Sequence, residues 1–101
     1  MKPFSLSVGA YRDLDEIWDY IARNSAEAAD RWIDSLYEAF EFVSRTPGCG
    51  HTRADLTDKD VRFWAFKTYV ILYREREDRV IIEAVTQGSR HVPSFLSKRQ
   101  E

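Results

Sequence analysis

From Ala10 to Val43 the apolar residues recur at helical spacing, and one polar interruption, Asn24-Ser25, splits them into two stripes. The first runs through Leu14, Ile17, Trp18 and Ile21, the second through Ala29, Trp32, Ile33, Leu36, Phe40 and Val43. Helices joined by so short a connection fold back as an antiparallel hairpin. Neither stripe is stable in water alone, so each must pack on the other or on a sheet. Ser25 suits the N-cap of the second helix, which Arg45, Pro47 and Gly48 should end. Asp13, Asp15 and Glu16 place negative charge toward the start of the first helix, where the dipole favours it.

The flanking segments have a different period. Residues 4–8 alternate apolar and polar side chains, which predicts a strand with one buried face, stopped by Gly9. Turns are expected at 47–51 and at 57–60. Residues 61–66, 69–73 and 80–85 are rich in β-branched and aromatic residues and read as three strands, with charged 74–79 as a hairpin loop. Because 69–73 is apolar at every position, it is expected at the centre of the sheet. Residues 93–98 have the length for one short terminal helical turn. The order predicts an α+β domain over 1–101: an N-terminal strand, an antiparallel helical hairpin and a three-stranded antiparallel meander.

Composition narrows the function. At 101 residues with 44 % hydrophobic side chains, the chain can build a single core without a metal or disulfide. Its lone cysteine, Cys49, excludes an internal disulfide, and no apolar run reaches the length of a signal peptide or membrane span, so a cytoplasmic protein is expected. Residues 1–50 carry 5 Lys/Arg and 9 Asp/Glu, and residues 51–101 carry 10 and 8, for a net charge of −2. Direct, specific nucleic-acid binding is not expected of such a chain, because that affinity comes largely from counterion release by a basic surface. Cys49 and His51 fall short of a four-ligand zinc set, and no cofactor is expected.

Three segments carry a family resemblance. DLDEIWDYIARNSAEAADRWIDSL (13–36) resembles the helical hairpin of toxins of the RelE/ParE superfamily, in particular the ParE branch. PGCGHTRADL (47–56) with VRFWAFKTYVILYRERED (61–78) is similar to that family's glycine-containing loop and strand pair, and VIIEAVTQGSRHVPSFL (80–96) to its last strand and terminal Gly-x-Arg segment. The three lie in register along essentially the whole chain. The resemblance implies a RelE/ParE-like fold and the toxin of a type II toxin-antitoxin pair, tied to plasmid or cassette maintenance. It also implies a ParD-like or other short antitoxin as cognate partner and DNA gyrase as target.

The alternative within the superfamily is a ribosome-dependent mRNA endoribonuclease, which needs cations on the scissile phosphate and a proton-transferring group. By resemblance to those enzymes, catalytic arginines would occupy the slots of Val70 and Arg90, and a terminal tyrosine that of Leu96. Only Arg90 retains its chemistry, so no catalytic set is expected. A non-toxic, degenerate family member is the third reading. His91 and His51 could move protons as imidazoles, yet an exposed loop histidine is the simpler reading of each.

Two surfaces are expected to engage partners. Arg53, Arg62, Trp64, Lys67, Arg90 and His91 form a candidate target-binding patch. Trp18, Tyr20, Trp32 and Tyr37 border the helical hairpin and form a candidate antitoxin-binding face, while an edge position of the first strand would admit strand addition. If Val61, Phe63 and Ala65 face the helices, then Arg62, Trp64 and Phe66 point to the other face of the sheet beside Val70 and Leu72 or their neighbours. That second apolar face would need a cover, supplied by 93–96 or by a partner.

Overall fold

The computed structural model describes residues 3–52 and 60–88. Strand β1 (Phe4–Leu6) leads into helix α1 (Val8–Ala22), which turns through Arg23–Ser25 into α2 (Ala26–Arg45) and a single 3-10 turn, Pro47–Cys49. Strands β2 (Arg62–Phe66), β3 (Tyr69–Glu75) and β4 (Val80–Gln87) follow. The sheet order is β1-β4-β3-β2, so β3 is interior as its composition requires, and β1 closes one edge by pairing parallel with β4. The helical turn expected over 93–98 lies outside the described residues.

Each helix opens on a serine. Ser7 Oγ accepts from the Ala10 amide and Ser25 Oγ from the Ala28 amide, both at 3.1 Å, and such caps contribute about 1 kcal/mol each. The strand expected over 4–8 therefore ends at Leu6, and the helix starts at Val8, before the glycine expected to stop the strand. With the start moved forward, no acidic residue occupies the first turn of α1. Asp13 has another role: it is buried, and its carboxylate accepts a 2.9 Å bond from the Val85 amide. Ser7 Oγ donates to the Glu83 carbonyl at 3.0 Å. Two side chains thus satisfy the outer edge of β4 where β1 has ended.

The hairpin packs on one face of the sheet. Leu36, Phe40 and Val43 of α2 and Ala10, Leu14 and Ile17 of α1 form a core with Ile71, Tyr73, Val80, Ile82 and Val85. A bulge sets the alternation on β4, because Tyr73 pairs with Ile82 and Leu72 with Ala84, leaving Glu83 as the extra residue. The half-buried guanidinium of Arg74 pairs with buried Glu83, which moves Arg74 out of the expected hairpin loop and into β3. The reversal itself is Arg76–Arg79, closed by a 2.7 Å bond from the Arg76 amide to the Arg79 carbonyl.

The two faces of β2 are the reverse of the assignment considered from sequence. Arg62, Trp64 and Phe66 pair with Tyr73, Ile71 and Tyr69 and so share the helix-facing side, where Trp64 and Phe66 join the main core. Val61 and Phe63 instead form a second cluster with Leu72, Ala84 and Val70. Leu72 and Ala84 have no exposed surface and Phe63 is 8 % exposed, so the middle of this face is buried within the chain, while Val70 is half-buried and Ala65 exposed at its end.

Candidate interaction surface

Among the described residues, the large exposed apolar groups lie on the two helices. Val8, Tyr11 and Tyr20 on α1 are more than half exposed, and Phe42 near the end of α2 is 38 % exposed. Tyr11, Leu14, Asp15, Trp18, Ile33 and Tyr37 line a groove of about 180 Å³ between the helices. Trp18 is held by a 2.9 Å bond from Nε1 to Asp30 Oδ1 across the hairpin. Tyr37 packs on Phe40 (5.4 Å between ring centroids) and on Phe4 of β1 (6.2 Å). Burial, followed by the nearby Tyr11, raises the Tyr37 phenol above its ordinary pKa.

Of the four aromatics expected on an antitoxin-binding face, Trp18 and Tyr37 therefore share one groove. Tyr20 sits on another cleft, about 200 Å³, bounded by Asp13, Glu16, Ile17, Tyr69 and the last residues of β4. Trp32 faces the β2–β3 turn, its ring edge-on to Tyr69 at 5.5 Å. Tyr11 was not singled out from sequence, although it lies seven residues before Trp18 and so on the same stripe.

Of the residues expected to bind the target, the three described ones, Arg62, Trp64 and Lys67, lie along β2 and the turn that follows it. Arg62 is turned inward, with Nη1 donating to the Gly50 carbonyl at 3.1 Å. Trp64 stacks on Phe42 at 5.3 Å and 27°. Lys67 has φ 55° in the two-residue turn between β2 and β3, and its Nζ lies 5.0 Å from the Trp32 ring centroid and 5.5 Å from that of Phe66. Lys67 and Trp32 line a cleft of about 290 Å³ with Ala28, Arg31 and Ser35. Arg53, Arg90, His91 and Leu96 lie outside the described residues, and Val70 is half-buried beside Leu72 and Phe63.

The turn before the meander is built around Tyr73. Its hydroxyl accepts from the Gly50 amide at 2.8 Å, donates to the Pro47 carbonyl at 2.7 Å and lies 3.7 Å from Cys49 Sγ. Burial above all, together with the Cys49 contact, pushes this phenol up to about 12. His51 is exposed and forms a backbone bridge with Phe63. Among the described residues no three His, Cys, Asp or Glu side chains are grouped to hold a metal, and no helix is long and apolar enough to cross a membrane.

Comparison with known proteins agrees with this architecture. A family model described as the ParE toxin of type II toxin-antitoxin system, parDE, matches residues 4–92. Toxin ParE1 of Caulobacter vibrioides is 33 % identical over 75 residues, which span 73 % of this chain and 77 % of that protein. A solved chain of the chromosomal ParDE TA system from P. aeruginosa superposes with a TM-score of 0.72 at 19 % identity, covering 86 % of this chain and 96 % of that one. At that identity the superposition speaks for the fold.

Proposed function

Because the chain belongs to the ParE toxin family of type II toxin-antitoxin systems, we propose that it is a cytoplasmic growth-arresting toxin that inhibits DNA gyrase and is held inactive by a ParD-like antitoxin. Plasmid or cassette stabilisation is the biological setting this reading implies. The observation that carries the non-enzymatic part is Val70. By resemblance this is an arginine slot of the ribonuclease branch, and here it holds an apolar, half-buried side chain packed on the Val61–Phe63–Leu72–Ala84 cluster. A side chain so placed has neither charge nor donors for a phosphate.

The antitoxin reading rests on two adjoining surfaces. The Val80 amide donates to the Pro3 carbonyl and the Ser7 amide to the Ile82 carbonyl. Backbone groups of residues 3, 5 and 7 thus face β4, and those of Phe4 and Leu6 point outward from the sheet edge. Tyr37 touches Phe4, so the interhelical groove runs onto this edge. A segment that binds as a helix in the groove and continues as a strand along β1 would use both.

A supercoiling assay with purified gyrase tests the target. The expected result is loss of supercoiling or trapped DNA cleavage at micromolar toxin, relieved by the antitoxin encoded beside it. Unchanged supercoiling, with site-specific cuts in mRNA on programmed ribosomes, would replace this reading with the ribonuclease one.

A further inference from the structure

Lys67 is the one non-glycine residue with positive φ among the described residues. Glycine or asparagine occupies such a position more cheaply, because a β-carbon is crowded there. A lysine retained in that conformation points to a use for its charge. Its ammonium lies over the rings of both Trp32 and Phe66, an arrangement that places a cation without neutralising it. Arg31, one residue before Trp32 on α2, lines the same cleft with Ser35. Neither Arg31 nor Lys67 forms an ion pair with another described residue, in contrast to Arg74 and Arg79.

We propose that the Arg31–Trp32–Ser35–Lys67 cleft is a receptor for a carboxylate side chain of the bound antitoxin. The inference rests on the antitoxin reading above and adds the chemistry of one contact to it. The two cations would hold the carboxylate, Ser35 would donate to it, and Trp32 would keep the Lys67 ammonium aimed at the cleft. A single carboxylate fits better than a nucleic-acid backbone, because exposed Glu27, Asp30 and Asp34 on the same helix would repel a polyanion. The contact joins Lys67, expected to engage the target, with Trp32, expected to engage the antitoxin, so an occupied cleft would also cover Lys67.

The test uses the toxin with the antitoxin encoded beside it, and compares wild type with Lys67→Gly, Arg31→Gln and the double variant by equilibrium and kinetic binding. Lys67→Gly removes the charge together with the backbone strain. Its melting temperature is expected to stay level or rise while affinity falls about tenfold, the scale of a lost interfacial charge contact. Arg31→Gln should weaken binding too, and the double variant should lose less than the two single losses combined, since both cations serve one group. Changing the antitoxin's Asp and Glu residues to their amides one at a time should then find one change that abolishes the effect of Lys67→Gly. Unchanged affinity of Lys67→Gly, or a melting temperature that falls with affinity, would show that Lys67 serves only the fold and overturn the inference. So would tight binding of an oligonucleotide that depends on Lys67. If the wild-type chain binds no such antitoxin, the antitoxin reading itself falls, an outcome distinct from a wild-type complex indifferent to Lys67.

Discussion

The phenol of Tyr73 in β3 reaches across to Gly50 and accepts its amide at 2.8 Å, while a β-carbon built on Gly50 would lie 2.6 Å from that same oxygen. The close approach, rather than backbone conformation, selects glycine, since Gly50 has φ −78° and ψ 166°, a region open to any residue. The bond from Tyr73 to the Pro47 carbonyl completes the clamp that seats the 3-10 turn on the sheet.

Gly50→Ala is expected to destabilise the fold by about 1–3 kcal/mol through overpacking. Tyr73→Phe should cost about 1–3 kcal/mol, because it leaves a buried amide without its acceptor. In the double variant the closest contact is gone, so its loss in urea unfolding should be smaller than the two single losses together. Strict additivity would show that the two groups do not meet.

The same phenol gives a signature at high pH. Its folded pKa of about 12 lies above the unfolded value near 10, so the native state holds its proton more tightly. That stabilisation is fully present below about pH 10 and is lost as the pH rises toward 12, to a total of about 2–3 kcal/mol. Tyr37 and Tyr69 are shifted in the same direction by burial. The expected observation is therefore a difference: between pH 9 and 12 the wild type should lose more stability than Tyr73→Phe. Parallel curves would remove Tyr73 as the cause.

Asp13 bridges helix and sheet. Asp13→Ala should cost about 1–3 kcal/mol by leaving the Val85 amide without its acceptor, whereas exposed Asp15→Ala should cost little. Amide hydrogen exchange separates this local effect from general loosening. Val85 should exchange faster in Asp13→Ala than adjoining β4 amides bonded to β3.

The helical hairpin was legible because its 3.6-residue period survives along both stripes and Ser25 marks the second start. The β1–α1 border was not, because Leu6 and Val8 continue the alternation of a strand into what is the first turn of a helix, and Ser7 passed for a strand residue. Nor could the sequence orient β2. Its residues Arg62–Phe66 carry aromatics at both parities, and the choice falls to tertiary partners, Phe42 stacking on Trp64 and Tyr73 pairing with Arg62. Lys67 was marked as a surface cation, but nothing in the sequence discloses a lysine with positive φ beside Trp32.

Thr86 carries a buried hydroxyl with no hydrogen-bond partner among the described residues. Thr86→Val keeps the shape and removes the unmet polar atom, so it should raise stability by about 1 kcal/mol. Thermal melting is the measure, and a loss of stability would mean that the hydroxyl is solvated or paired.

The interhelical groove can be tested without harming the core if the probe is well chosen. A charge at Tyr37 would sit against Phe4 and Phe40 in the hydrophobic core, so Tyr37→Asp would confuse unfolding with lost binding. Tyr11 lines the same groove and is 54 % exposed, which makes Tyr11→Asp the cleaner change. The substituted chain should melt close to the wild type, since surface substitutions shift stability by only about 0.5 kcal/mol. If a partner's apolar helix fills the groove, desolvating the new carboxylate should weaken the complex by at least tenfold, or about 1.4 kcal/mol. Toxicity should then persist when the antitoxin is co-expressed. Because the groove contact would rest on apolar burial, with charge outside the Lys67 cleft setting mainly the association rate, raising the salt concentration should slow binding more than it weakens it. A folded Tyr11→Asp chain that the antitoxin still neutralises at wild-type affinity would place the antitoxin elsewhere, with the β1 edge as the next surface to probe.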